Sequence, residues 1–128
     1  MYDIRRIPVT IANGAALSGA ADLTGMALVG IIMPSVWTLA GVGLLASWDG
    51  AAYAQVRDVD KTAAAPYGTD EWELLAADVP TGESVYFPVD PALCLGANHV
   101  KVQSQTTGTP VNQGAARTVY LLVRDLGS

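Results

Sequence analysis

The chain contains one histidine and one cysteine, and neither lies in a catalytic pattern. His99 enters a predicted strand after Gly96-Ala97-Asn98, and no Gly-x-Ser-x-Gly segment supplies the nucleophile that a hydrolytic triad needs. Cys94 lies between Leu93 and Leu95, without a neighbouring basic residue to lower its pKa. We therefore predict a solvated histidine at the edge of a loop, a cysteine that packs in the core, and no internal disulfide.

Acidic side chains form two short clusters that could take part in chemistry. Asp58-x-Asp60 and Asp70-Glu71-x-Glu73 could each offer oxygen ligands to calcium, although neither has the twelve-residue calcium loop with its terminal glutamate. Two carboxylates brought together by the fold could also hydrolyse a glycosidic bond. Surface solvation explains these acids more simply. We predict no catalytic residue, no metal and no cofactor, and keep a small hydrolase as a third hypothesis.

Seven of the aromatic side chains could form a platform on which a sugar stacks: Trp37, Trp48, Tyr53, Tyr67, Trp72, Tyr86 and Tyr120. Such a platform must be exposed. Trp48 at a predicted hairpin turn and Tyr67 in a predicted loop are the best candidates for glycan contact. Aromatic residues are also enriched in protein interfaces, so core and interface roles together are favoured over sugar binding.

The composition indicates that other proteins cover part of this chain. Hydrophobic residues make up 51% of the sequence and charged residues only 15%, against about 25% charged in an ordinary soluble domain. The net charge of -5 argues against nucleic acid as a partner, because only Arg5 and Arg6 are adjacent basic residues. The N-terminal residues lack the apolar core of a secretion signal, and a single cysteine fits assembly in a reducing cytoplasm.

The uncharged run from Met26 to Ala46 is long enough to cross a bilayer as a helix. However, Asp49-Gly50 lies between two apolar segments, Gly43–Trp48 and Tyr53–Asp58, and this arrangement predicts a β-hairpin. The charges that flank the run are acidic, unlike the basic residues that anchor membrane helices. We therefore predict sheet structure and no membrane partner, with a membrane span as the alternative.

The remaining patterns also predict mostly strands. Ile7, Val9 and Ile11 alternate with more polar residues, and Asn13-Gly14 marks a turn. The strand from Gly25 to Met33 is apolar on both faces. It should be central, with a second sheet on one face and a loop, a helix or a neighbouring subunit on the other. Further predicted elements are a strand at Glu73–Ala77 (or a helix started by an Asp70/Glu73 capping pair), an extended Ser84–Val89, an amphipathic strand at Val100–Gln103, a polar loop at Thr106–Gln113 and a strand at Thr118–Arg124. A helical turn is predicted at Asp90–Gly96, with Asp90 as its N-cap, Pro91 at its first position and Gly96 as its end.

These elements predict an all-β protein, a jelly-roll-like antiparallel β-sandwich with one short helical turn near Pro91–Leu95. Residues 1–128 should form a single sandwich domain with a short N-terminal arm. The strand around Ile4 to Ile11 could stay in its own sheet or pair with the edge of another chain.

Five segments in this order resemble the small β-sandwich virion proteins encoded in the structural modules of tailed bacteriophages: Ile11–Ala20, Leu28–Thr38, Ser47–Tyr53, Val100–Ser104 and Gly108–Thr118. The likeness spans Ile7 to Arg124 and rests on turns and strand starts. A looser likeness, through the hairpin and the late strand, is to discoidin-type sugar-binding jelly rolls. None of that family's ligand positions maps onto this chain.

The phage resemblance implies a head decoration, turret or fibre-base component. Our first hypothesis is therefore a non-enzymatic, homo-oligomeric accessory protein of the virion that binds the major capsid protein or other virion proteins. Because of their terminal position or their expected exposed aromatic character, the residues expected to make those contacts are Ile4, Arg5, Arg6, Tyr67 and Trp72. The alternative is a carbohydrate-binding module on the virion for host attachment, with Trp48 and Tyr67 as glycan contacts.

Overall fold

The computed structural model describes residues 4–57 and 72–126. In these residues the strands are β1 (Ile4–Ile11), β2 (Ala21–Asp22), β3 (Met26–Ile32), β4 (Gly41–Ser47), β5 (Ala54–Gln55), β6 (Glu73–Leu74), β7 (Tyr86–Pro88), β8 (His99–Thr106), β9 (Thr109–Pro110) and β10 (Arg117–Asp125). Two single 3-10 turns cover Ala76–Asp78 and Pro91–Leu93.

The strands form two antiparallel sheets. The four-stranded sheet has the order β1-β10-β3-β7, and the six-stranded sheet has the order β2-β8-β4-β5, with β6 also paired to β4 and β9 to β8. The predicted all-β sandwich is confirmed, whereas its jelly-roll character stays a prediction.

The core lies between the two sheets and takes every second residue of their long strands. Val9 and Ile11 in β1, like Val100 and Val102 in β8, are buried, and their neighbours in sequence point outwards. Full burial of one aliphatic side chain contributes about 1.5–3 kcal/mol to the stability of the fold. Burial of these alternate side chains is therefore the main interaction that holds the two sheets together. It confirms the strands predicted from the same alternation in the sequence.

The uncharged run from Met26 to Ala46 contributes strands to both sheets. It supplies β3 to the four-stranded sheet, leaves it at Met33, and supplies most of β4 to the six-stranded sheet. The connection is anchored by Trp37, which is buried and donates its indole N–H to the Ala40 carbonyl at 3.1 Å. Within the two described ranges, no helix has the length and apolar character needed to span a membrane.

Two local expectations need correction, and a third is confirmed with different bounds. The strand predicted for Glu73–Ala77 is limited to Glu73–Leu74, because the chain turns into the 3-10 turn Ala76–Asp78. The polar loop predicted for Thr106–Gln113 contains β9, since the turn at Thr107 and Gly108 has positive φ angles of 50° and 78° and folds the chain back onto β8. The hairpin at Asp49-Gly50 is confirmed, but residues 48–53 connect its strands.

The N-terminal segment is a strand and not an arm over its described length. β1 pairs with β10 from Ile4 opposite Arg124 to Ile11 opposite Arg117, so Ile4, Arg5 and Arg6 belong to the four-stranded sheet. The backbone hydrogen bonds of a long antiparallel pair favour this arrangement over a free segment.

The short helical turn is confirmed. Asp90 precedes it, and its carboxylate accepts a hydrogen bond from the Ala92 backbone N–H at 3.0 Å, while Pro91 occupies the first position. This combination of cap and proline is the one that the sequence predicted.

Candidate interaction surfaces

The outer surface of the four-stranded sheet is apolar and aromatic over much of its area. Because Val9, Leu121 and Val123 point into the core, the alternate residues of the same strands point away from it. We call this surface the four-strand face. Its side chains are Ile4, Arg6, Pro8 and Thr10 of β1; Thr118, Tyr120, Leu122 and Arg124 of β10; Ala27 and Ile32 of β3; and Tyr86 and Pro88 of β7.

One row of apolar side chains crosses all four strands of this face. Pro8 lies opposite Tyr120, Tyr120 opposite Ile32, and Ile32 opposite Tyr86. Directly opposed side chains of neighbouring strands are in contact distance of one another. The row is open to solvent at both ends, since Pro8 is exposed and Tyr86 is 52% exposed.

A second row beside the first includes Arg6, Leu122, Gly30 and Pro88 in register. The Tyr86 ring lies over Gly30, where a Cβ atom would collide with it. The Arg6 guanidinium lies 4.5 Å from the centre of the Tyr120 ring, so its charge packs on an aromatic surface. Gly30 thus makes room for the Tyr86 ring, and Arg6 lies against the Tyr120 ring of the first row.

The charge of the four-strand face differs from that of the whole chain. The chain has a net charge of -5, yet the face contains two arginines, Arg6 and Arg124, and no acidic side chain among the residues that the structure describes. Both arginines lie at the end of the sheet where β1 begins and β10 ends. An apolar surface with arginine and without carboxylates has the composition of a protein interface.

The free edge of β1 resists pairing with another strand. The Thr10 carbonyl accepts a hydrogen bond from the Gly19 N–H at 3.3 Å on the side away from β10. By alternation, the backbone groups of Arg6 and Pro8 point to the same side. Pro8 has no N–H to donate there, which interrupts any ladder that a neighbouring chain could form. Of the two predicted roles for this strand, membership of its own sheet is confirmed.

The predicted partner contacts fall in different places. Ile4, which is 60% exposed, and Arg6 lie on the four-strand face. Arg5 points the other way, with its guanidinium 3.9 Å from the Asp125 carboxylate, beside a groove of about 430 Å³. Trp72 is half-buried and packs against the core, so the exposed aromatic character expected of it is wrong. Tyr67 lies outside the described residues.

Trp48 forms a separate exposed feature at the end of the sandwich. Its side chain is 75% exposed, as predicted from its position at the hairpin turn. Its carbonyl accepts a hydrogen bond from the Asn98 side chain at 2.9 Å, and the Asn98 N–H bonds to the Ser47 carbonyl at 3.0 Å. The backbone that carries the indole is therefore fixed. Beside it is a groove of about 270 Å³ lined also by Ala46, Ser47, Leu93, Gly96 and Ala97.

The residue after Trp48 is a carboxylate held by its own loop. Oδ1 of Asp49 accepts hydrogen bonds from the N–H groups of Ala51 at 2.9 Å and Ala52 at 3.1 Å, and from the Ser47 hydroxyl at 2.9 Å. These bonds, that from Ala51 first, lower the pKa of Asp49 below its ordinary value. An exposed aromatic ring on a fixed backbone, next to a carboxylate that is ionised at neutral pH, offers stacking and hydrogen-bond acceptance from one loop.

The candidate catalytic groups are placed unfavourably for chemistry. Cys94 is buried, as predicted, and burial raises the pKa of its thiol to about 11. His99 is half-buried at the start of β8, close to Gly50. Both Glu73 oxygens accept hydrogen bonds within the fold. Across residues 4–57 and 72–126, no three His, Cys, Asp or Glu side chains lie together as metal ligands; Asp58, Asp60, Asp70 and Glu71 fall outside these ranges.

The sequence did not indicate the full extent of the four-strand face. The two-sided apolar character of β3 predicted that something covers its outer surface, but Pro8, Tyr86 and Tyr120 join Ile32 only through the strand register. Comparison of the chain with protein-family models, with curated protein sequences and with solved structures gives no match.

Proposed function

We propose that this chain is a non-enzymatic structural component of a bacteriophage virion, an oligomeric accessory protein that binds the capsid surface or a vertex. The observation that carries the proposal is the four-strand face. Its row from Pro8 through Tyr120 and Ile32 to Tyr86 is apolar on a sheet face that no other part of the sandwich covers in the described residues. Protein contact is the usual role of such a surface.

Three further features support an interaction protein. The arginine-containing, carboxylate-free composition of the face is typical of interfaces. The low fraction of charged residues, 15%, suits a protein whose apolar surface is covered after assembly. The resemblance of the turns and strand starts to small phage virion proteins provides the biological setting, with the virion as the location and the major capsid protein or other virion proteins as partners.

The test is whether the chain is present in purified particles of the virus or prophage that encodes it. We expect it to copurify with density-banded particles at a fixed copy number, measured by quantitative mass spectrometry. Ile4→Asp places a charge on the four-strand face and should reduce this copy number at least several-fold. Leu39→Asp is the matched control, because Leu39 is 66% exposed and lies off the face, in the connection between β3 and β4.

Two results would contradict the proposal. One is the absence of the chain from particles although the lysate contains it. The other is an equal occupancy for Ile4→Asp, Leu39→Asp and the natural chain. A copy number that follows the number of vertices would identify a turret or fibre base, and one that follows the number of capsid subunits would identify a cement protein.

The second candidate function is carbohydrate binding for host attachment, and the specific observation that favours it is Trp48. An indole that is 75% exposed on a fixed backbone, beside a groove and a carboxylate, could stack on a sugar ring while Asp49 accepts hydrogen bonds from the sugar hydroxyls. A glycan array tests this function. Trp48→Ala should abolish any binding, whereas Tyr86→Ala, which removes an exposed aromatic ring elsewhere, should not. An array without signal for the natural chain removes this candidate.

A further inference from the structure

We infer that the four-strand face packs against the same face of a second copy of this chain, so that two sandwiches form a twofold dimer. The inference deepens the proposed function and rests on it in taking this face as the interaction surface. It assigns this face to the contact between copies within the oligomer that the proposed function requires.

The face satisfies the requirement that a twofold contact imposes. In such a contact the same surface of each copy packs against its counterpart, so the surface must be complementary to itself in shape and charge. The central row of Pro8, Tyr120, Ile32 and Tyr86 is apolar apart from its two tyrosine hydroxyls. Over residues 4–57 and 72–126, the face has no carboxylate that needs a basic partner on the other chain. Two copies can therefore bury the row without leaving acidic groups unpaired.

The distribution of the two arginines also permits the contact. Arg6 and Arg124 lie at one end of the sheet, and the opposite end has the neutral pair Thr10 and Thr118, whose hydroxyls are 3.1 Å apart. A twofold axis that runs across the strands places the arginine end of one copy over the threonine end of the other. The like charges of the two copies then lie apart, and Arg6 stays stacked on its own Tyr120 ring.

The size of the face sets the strength that we expect. Its three long strands have 8, 9 and 7 residues. With strands about 4.8 Å apart and about 3.3 Å per residue, these strands and the three residues of β7 present a plan area of about 430 Å². A stable interface of standard size buries about 800 Å² on each partner. The dimer should therefore be reversible and depend on concentration, with the two sheets about 10 Å apart.

Edge-to-edge association through β1, the other way in which this sheet could dimerise at the row, is disfavoured. The row reaches β1, but Pro8 leaves that edge without a donor in the middle of the strand. In face-to-face packing Pro8 contributes to the contact, because its ring adds apolar area to the row.

Sedimentation equilibrium over a wide concentration range tests the dimer. The weight-average mass of the natural chain should rise from 13.3 kDa towards twice that value. Ile32→Glu places a charge in the centre of the row and should weaken dimerisation at least tenfold. Leu45→Glu is the matched control and should dimerise like the natural chain. Leu45 is also half-buried and also lies in a strand with neighbours on both sides, but it is on the outer surface of the other sheet.

Two results would overturn the inference. One is a natural chain whose mass stays at 13.3 kDa at every concentration. The other is a Leu45→Glu variant that loses the dimer as fully as Ile32→Glu does. Circular dichroism checks that each variant is folded. If Ile32→Glu does not fold, Tyr86→Asp replaces it, because Tyr86 is a more exposed member of the row. Tyr86→Asp must then weaken dimerisation at least tenfold, and an unchanged dimer would contradict the inference.

Particle occupancy separates the two proposals. A monomer that still occupies particles removes only the dimer, and a dimer absent from particles removes only the virion function.

Discussion

Oε1 of Glu73 accepts a hydrogen bond from Nε2 of Gln105 at 2.6 Å, across the strand that separates them. The same carboxylate accepts the backbone N–H groups of Thr107 and Gly108, each at 2.9 Å. It thereby joins one edge of the six-stranded sheet to the turn between β8 and β9. Gln105 is fully buried, and its Oε1 accepts further hydrogen bonds from the side chains of Gln55 and Gln103.

Replacement of Glu73 should destabilise the sandwich. Glu73→Ala removes the acceptor for three donors, one of them on a fully buried side chain, and should lower the free energy of unfolding by about 2 kcal/mol. Urea denaturation measures the change. Glu83→Ala, which removes an exposed glutamate, should stay within about 0.5 kcal/mol of the natural chain. Equal losses in the two variants would mean that the Glu73 hydrogen bonds do not stabilise the fold.

Gly43 makes room for this network, so adding one methyl group there should also destabilise the protein. A Cβ atom at Gly43 would collide with the side-chain amide of Gln105. We expect Gly43→Ala to cost about 1–3 kcal/mol in urea denaturation, as overpacked sites do. Gly82→Ala is the control, since nothing lies within 4 Å of its Cβ position. The cost should shrink in a Gln105→Ala background if the collision is its cause, and an additive double variant would exclude that cause.

The Cys94 thiol should react slowly in the native protein. Burial raises its pKa to about 11, against an ordinary value of 9.0. At pH 8 this lowers the thiolate fraction about 100-fold, and thiolate is the reactive form. A chromogenic disulfide reagent should therefore modify the folded chain at least 100-fold more slowly than the chain in urea. Similar rates in both conditions would show that the thiol is accessible.

Asp49 should stabilise the hairpin loop at neutral pH and lose this effect in acid. Its pKa is lowered in the folded state, chiefly by the N–H groups of Ala51 and Ala52, so its contribution is complete above the ordinary value of 3.8 and disappears as the pH falls through the folded-state value. Asp49→Ala should thus have a lower urea midpoint than the natural chain at pH 7, and the difference should narrow below pH 3.8. Asp49→Asn keeps an acceptor oxygen and should lose less. A difference that does not vary with pH would contradict the role of the charge.

Local patterns in the sequence were sufficient to predict the long strands and several turns. The alternation of Val100 and Val102 with polar residues, the Asp90 cap and the Asp49-Gly50 hairpin each depend on residues within a few positions of one another. Such signals express backbone geometry and side-chain period, which neighbouring residues determine. The exposure of Trp48 followed from its place in the hairpin.

The buried polar residues could not be predicted in this way, because their partners are distant in sequence. Gln113 belongs to a stretch predicted as a polar loop, yet it is 1% exposed. Its side chain accepts from the Thr38 N–H at 2.9 Å and donates to the Ser104 hydroxyl at 2.7 Å. A glutamine is buried only where the fold supplies such partners. The four-strand face depends on register in the same way.

The two short strands β5 and β6 lie in succession along the same side of β4, and the Trp72 N–H meets the Val56 carbonyl at 2.7 Å between them. The chain therefore leaves and re-enters the sheet edge at almost one point. Closing a loop across such fixed ends costs only about 0.6 kcal/mol more for each doubling of its length. Foreign peptides of very different lengths could be spliced between Val56 and Trp72 for display, with the sandwich as their carrier.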